Sequence, residues 1–250
     1  MKKLISFWQE CTQFEKLWCL TFTLVSVVVG FIQKVNGLNI LASILGLWCV
    51  FLVAKGKMTN FLVGAVYLLV DAYLHFQYGL YFMTGLSLFF YLPLQWIGWK
   101  IWSAHPPLYA MNHEQVSVRQ MFPRGWLAIF IALIVIVLMH VQALHMYYQN
   151  HNTPWESLVI TLAITGQLLM TGRFVEQWVA WIGINLLSCV LWLMVFLPND
   201  QAVWSFVSMW LLNTINAIYG WHNWKSIQDK QATMIVGAYC EYEPQMMRRY

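Results

Sequence analysis

Charge is what this chain has least of: Asp, Glu, Lys and Arg make up 10% of its 250 residues. A soluble domain carries about 25%, so an ordinary solvated surface is excluded. Its five cysteines include no C-x-x-C pair, which leaves Cys11, Cys19, Cys49, Cys189 and Cys240 as buried, inert thiols and indicates neither a disulfide framework nor a metal site. The seven histidines are scattered and never pair at i, i+4. No G-x-S-x-G, H-E-x-x-H or phosphate loop occurs, so the sequence offers no nucleophile elbow, zinc protease site, nucleotide cradle or other cofactor site. An integral membrane enzyme acting on lipid or isoprenoid would need an acid/base or metal cluster in its cytoplasmic loops, and none is there. Carboxylates are almost missing from the apolar stretches. Asp71 is the only one well inside, so no buried pair points to proton coupling.

Apolar sequence fills the space that charge leaves. Hydrophobic residues are 60% of the chain, in runs that do not alternate and that match the roughly 20 residues of a membrane-crossing helix. Eight spans are expected: Leu17–Gln33, Leu38–Ala54, Met58–Tyr78, Tyr81–Trp102, Trp126–Tyr147, Trp155–Thr171, Phe174–Phe196 and Ala202–Trp224. With that set, 13 of the 14 Lys and Arg residues fall on the side of the N-terminus and Lys34 alone on the other. The positive-inside rule then puts both termini in the cytoplasm. The net charge of +4 is thereby an orientation signal and not a nucleic-acid footprint. The Met1-Lys2-Lys3 start resembles a signal peptide, but Gln9, Glu10, Gln13, Glu15 and Lys16 interrupt its apolar region, so an uncleaved start is expected.

The chain also repeats. Gly98-Trp99-Lys100-Ile101-Trp102 closes the fourth span and Gly220-Trp221-His222-Asn223-Trp224 closes the eighth, both G-W-x-x-W. Gly56-Lys57-Met58 and Gly172-Arg173-Phe174 occupy matching turns two spans earlier. Interfacial tryptophans alone could produce the first match; the shared glycines and turns favour a repeat. Spans two to four and six to eight then form two three-helix units of equal orientation, a parallel repeat joined by the fifth span. That is a transporter plan with its site between the halves. The expected fold is therefore an all-α polytopic membrane protein with a 3+1+3 repeat and an extra N-terminal helix. The segments are 1–37 (N-terminus and peripheral first span), 38–102 (first unit), 103–154 (loop and linker helix), 155–224 (second unit) and 225–250 (cytoplasmic tail).

Polar residues inside spans are costly and mark cavities or helix contacts. Trp178, Trp181 and Asn185 share one face of the seventh span, and Asn213, Asn216 and Gly220 share one face of the eighth. Tyr91, Gln95 and Gly98 align on the fourth, and Tyr67, Asp71 and His75 on the third. Asn185, Asn213 and Gln95 each lie about 15–22 Å along their helices, near mid-membrane. The candidate substrate site is thus Trp181, Asn185, Gln95, Asn213 and Asn216, with Trp178, Tyr91, Tyr67 and Asp71 beside it. Asn213, Asn216 and Gln95 are equally readable as interhelical hydrogen-bonding residues, Trp178 as an aromatic-belt residue, and Asp71 as a structural partner of His75. Thr161, Thr165 and Gln167 are expected to bond backbone or neighbours, and His140 to be a packed core histidine.

The run Phe174-Val175-Glu176-Gln177-Trp178-Val179-Ala180-Trp181 followed by Asn185 resembles the W-x-x-W motif of the PnuC family of bacterial vitamin transporters. Asn213 to Asn216 and Tyr219-Gly220-Trp221-His222-Asn223-Trp224-Lys225 resemble that family's last span. The resemblance covers spans two to eight. It implies the 3+1+3 fold, related to SWEET-type sugar transporters, in a bacterial inner membrane. It also implies facilitated diffusion of nicotinamide riboside, trapped afterwards by a cytoplasmic kinase, in support of NAD biosynthesis. Thiamine or riboflavin carriage is the alternative within the family. The implied partners are a small-molecule vitamin and the lipid bilayer, and a homo-oligomer is compatible with the sequence. The chemistry suits the class. Tryptophan faces attract a cationic ring by about 0.5–2 kcal/mol, and Asn and Gln supply paired donors and acceptors for an amide and hydroxyls.

Overall fold

The structure is a computed structural model that describes residues 9–32, 34, 36–106, 116–122, 124–127, 129, 131, 134–135, 137–138, 142, 153–195 and 203–247. Among these the fold is all-helical apart from isolated bridges. Its helices are α1 (Gln13–Ile32), α2 (Gly37–Ala54), α3 (Asn60–Gln77), α4 (Tyr81–Leu86), α5 (Leu92–Ala104), α6 (Thr153–Thr171), α7 (Gln177–Val195) and α8 (Val203–Met247), with a π-turn at Ser87–Tyr91 between α4 and α5. The fifth span and His140 lie largely outside the described residues. By length and apolarity alone α1 and α2 qualify as bilayer-crossing helices, with mean hydropathies of 1.7 and 2.2. Large apolar side chains nevertheless cover the outside of the other helices as well. Leu62 is 63% exposed, Trp96 65% and Phe89 83%, patches that a water-facing monomer does not tolerate.

Chain contacts divide the protein into two compact units, Met1–Val53 with Thr59–Gln95, and Ala54–Met58 with Trp96–Tyr250. In the first, α1 starts with a reciprocal cap. Thr12 N–H donates to Glu15 Oε2 at 2.7 Å and Glu15 N–H donates to Thr12 Oγ1 at 3.2 Å, which satisfies two of the donors that a helix start leaves over. Cys11 and Cys19 then pack with Phe51 and Trp48 of α2. α3 ends at Gly79, whose φ of 73° lets its N–H reach back to Phe76 O in the left-handed closure that glycine permits. The π-turn interrupts the fourth span where one continuous helix was expected. Pro93 follows it and brings no N–H to the ladder.

In the second unit α6 packs on α7 and α7 on α8. The hydroxyls of Thr161, Thr165 and Thr171 donate to the carbonyls of Ser157, Thr161 and Gln167, the back-bonding expected of threonine inside a helix. The turns at 55–59 and 172–176 adopt the same backbone pattern, but one residue out of the expected register. The left-handed positions are Gly56 at φ 65° and Arg173 at φ 67°, so Gly56 corresponds to Arg173 and not to Gly172. Phe174, expected to open the seventh span, instead forms a parallel bridge with Arg119, and α7 begins at Gln177. The eighth span continues as helix past Trp224. Its helix runs 45 residues to Met247, about 68 Å at 1.5 Å per residue and far longer than a bilayer needs, so the segment read as a tail is helical.

Candidate functional site

Each unit holds polar side chains in its apolar interior, seated against glycines. In the first, Asp71 of α3 gathers hydroxyls: Ser87 Oγ donates to Oδ2 at 2.9 Å and Tyr67 OH to Oδ1 at 3.3 Å. His75 Nδ1 lies 3.2 Å from Oδ2, close enough for an ion pair when the ring is protonated though outside hydrogen-bond geometry. The two side chains of the expected partnership are thus within reach of each other. Ser87 opens the π-turn and Tyr91, half-buried, closes it; such turns recur at functional sites. The Tyr67 ring lies across Gly46, where an added Cβ would come within 3.2 Å of it, and Gln95 lies across Gly64, where a Cβ would sit 2.8 Å from Oε1. Gln95 is buried and its Oε1 has no protein partner.

In the second unit the two tryptophans of the α7 motif part company. Trp178 is 1% exposed. It stands in edge contact with Trp224, which meets Trp102 in the same way, at centroid distances of 6.0 and 5.7 Å. A Cβ on Gly220 would lie 2.3 Å from the Trp178 ring, so this indole is sealed between α7 and α8. Trp102 Nε1–H donates to Met170 O at 3.2 Å and anchors the stack. The last tryptophan of each G-W-x-x-W is thus a core residue, and the first, Trp99 or Trp221, remains exposed. Trp181 is half-buried and lies across Gly166, whose Cβ would come within 3.1 Å of it. Asn185 is buried one turn further on, Asn216 is buried with Oδ1 unpartnered, and Asn213 is half-buried on the same face of α8. Gln167 Nε2 and both amide atoms of Gln177 are likewise buried without a protein partner.

Sequence reasoning missed Ser87, Gln177 and the seating glycines Gly46, Gly64 and Gly166. The glycines had a visible signal, since small residues inside spans mark close helix approach. Ser87 had none, because a π-turn leaves no spacing signature.

Buried amides without partners and an exterior of apolar side chains point to a helical membrane protein that admits a polar solute, the class of small-molecule transporters. The chain belongs to the nicotinamide mononucleotide transporter family, whose model matches residues 36–226. It is similar to the nicotinamide riboside transporter PnuC of Neisseria mucosa, 29% identical over 217 residues that cover 86% of this chain and 82% of that one. It resembles the PnuC of Haemophilus influenzae equally, 29% identical over 229 residues, 90% of this chain and 94% of that one. Among solved structures it resembles the crystal structure of the vitamin B3 transporter PnuC, with a TM-score of 0.74 and 28% identity over 88% of this chain and 94% of that one.

Proposed function

We propose that this protein carries nicotinamide riboside across the bacterial inner membrane by facilitated diffusion, and that cytoplasmic phosphorylation traps the product. The substrate reading draws on the names of its relatives. The observation that carries it in this chain is a set of buried amide atoms without protein partners, on Gln95, Gln167, Gln177 and Asn216. In water-free surroundings an unmade hydrogen bond costs about 1–3 kcal/mol, so Asn216, Gln95 and their neighbours favour a solute with a carboxamide and hydroxyls. Trp181 offers a face to a cationic ring. Trp181, Asn185, Gln95, Asn213 and Asn216 are the proposed contacts, with Tyr91, Tyr67 and Asp71 shaping the approach. Trp178 acts mainly by packing, given its seal behind Gly220.

Both termini are proposed to be cytoplasmic, from the distribution of Lys and Arg, and spans two to four and six to eight to form a parallel repeat. The matching turns at Gly56 and Arg173 support the repeat. The test of transport is uptake into proteoliposomes. Label should equilibrate without a gradient and accumulate only when a phosphorylating kinase is enclosed. Concentrative uptake driven by a proton or sodium gradient alone would reject facilitated diffusion, and Asp71 would then be the coupling residue to examine. A reporter fused to the C-terminus and found periplasmic would reverse the topology.

A further inference from the structure

Residues 116–121, in the connection after α5, are tied to both helix-hairpin turns of the second unit. Val116 N–H donates to Gly56 O at 2.9 Å, Arg119 N–H donates to Arg173 O at 2.8 Å, and Arg119 O accepts from Val175 N–H at 3.0 Å. Arg173 Nη1 donates to Ser117 O at 3.3 Å, and Met121 N–H donates to Glu176 Oε1 at 2.9 Å. The α8 extension holds the same segment. Gln231 accepts from Val118 N–H at 3.1 Å and donates to Val116 O at 3.0 Å, so its amide stands in for a neighbouring strand. Asn223, one helical stretch earlier, donates from Nδ2 to Ala54 O at 2.7 Å. Val116 and Val118 are buried. Arg173 is buried too, and desolvation together with the nearby Arg119 lowers its guanidinium pKa from the usual value.

We propose that this segment is a strap that holds the turns at Gly56 and Arg173 to α8 and stays closed throughout the transport cycle, so that the helices ending at those turns pivot about it and open at their far ends. The inference rests on the transport reading above. Three observations favour a pivot over a gate. The strap's amides bond at both edges, to the turns and to Gln231, and its valines are buried, so opening would expose donors and apolar surface together. The sequence Val-Ser-Val-Arg-Gln-Met from 116 to 121 contains no glycine or proline at which a hinge would form. The α8 extension, longer than any bilayer requires, acquires a purpose as the strap's anchor.

The test is to lock the strap and to loosen it. A Cβ at Gly56 would lie 3.8 Å from Val116 Cβ, the mean separation in a disulfide. The Gly56→Cys/Val116→Cys protein, reconstituted in liposomes and assayed with labelled nicotinamide riboside, should therefore take up substrate equally well oxidised and reduced. Uptake lost on oxidation and regained on reduction would overturn the pivot. Gln231→Ala should slow uptake while calorimetric affinity stays at the wild-type value; an unchanged uptake rate would also overturn it. Should the strained cysteine at Gly56 prevent folding, hydrogen exchange on the wild-type chain still decides. The amides of Val116, Val118 and Arg119 should be among the slowest to exchange, with substrate or without, and fast exchange would refute the strap. Wild-type liposomes that take up no nicotinamide riboside would refute the transport reading instead and leave the exchange result to stand on its own.

Discussion

In the first unit the half-buried charge is surrounded: Asp71 takes hydroxyl hydrogen bonds from Ser87 and Tyr67, on both of its oxygens. Inside the helices of the second unit several buried amides are neutral and open. Asn216 Oδ1, Gln167 Nε2 and the Gln177 amide lack protein partners. A carboxylate in an apolar interior is tolerable only when donors compensate it, so Asp71 is wired to its own helices and keeps little capacity for a ligand. An amide costs less to leave open, and an open amide can bond a passing solute and release it. On this comparison the second unit should supply most of the affinity, together with Gln95, an open amide of the first.

The largest effect should come from filling the glycines. A methyl at Gly220 would press 2.3 Å from the Trp178 ring, which is packed against Trp224. Gly220→Ala should therefore destabilise the chain by about 1–3 kcal/mol or more through overpacking, seen as a lower unfolding temperature in detergent. Gly64→Ala meets the flexible end of Gln95 at 2.8 Å and Cys49 Sγ at 3.1 Å, and should weaken substrate affinity more than stability. Equal losses of stability in the two would break the comparison between a rigid seat and a yielding one.

Next in size are the proposed contacts on α7. Asn185→Ala should cost about 1–3 kcal/mol of binding, roughly 5- to 150-fold in affinity, because a ligand group then finds no partner. Trp181→Ala should act in the same direction by removing a ring face and its packing on Gly166. Calorimetry on folded variants decides: wild-type affinity in both would move the site away from α7.

Much of this arrangement was legible before any coordinates. The apolar runs gave helix positions to within a few residues, since helices α2, α3, α6 and α7 coincide with expected spans. Helical spacing put Trp181 and Asn185 on one face. Spacing could not separate Trp178 from Trp181, because three residues apart is one face in either case, and only the Gly220 contact shows that Trp178 looks into a tryptophan stack. Nor could composition reveal that α8 continues past Trp224. Residues such as Lys225, Ser226 and Gln228 read as a solvated tail, while their helix is held in place by Gln231 and Ile227 on its buried side. The π-turn escaped for a related reason: one extra residue per turn alters hydrogen bonding and leaves apolarity untouched.

A smaller effect on binding is expected at Asp71. Asp71→Asn keeps the size of the side chain and leaves Ser87 and Tyr67 an oxygen to bond, but removes the charge. If the carboxylate is occupied as described, affinity should fall less than in Asn185→Ala, and the main change should be in stability. A loss of affinity exceeding that of Asn185→Ala would reverse the comparison and make the first unit the dominant half of the site.

The smallest effect belongs to Tyr67→Phe. Its hydroxyl donates to Asp71 at 3.3 Å, longer than the 2.9 Å bond from Ser87, and the ring's seat on Gly46 is untouched by the change. Losing one modest hydrogen bond should cost about 0.5–1.5 kcal/mol; in a chain of this size 1 kcal/mol lowers the unfolding temperature by about 2–4 °C. Ser87→Ala should cost more, because it removes the shorter bond at the start of the π-turn. Made together, the two changes should cost more than their sum, since each hydroxyl is the compensation left to the carboxylate when the other is gone. Strict additivity in thermal unfolding would show that His75 or solvent already satisfies Asp71, and that the first unit is as open as the second.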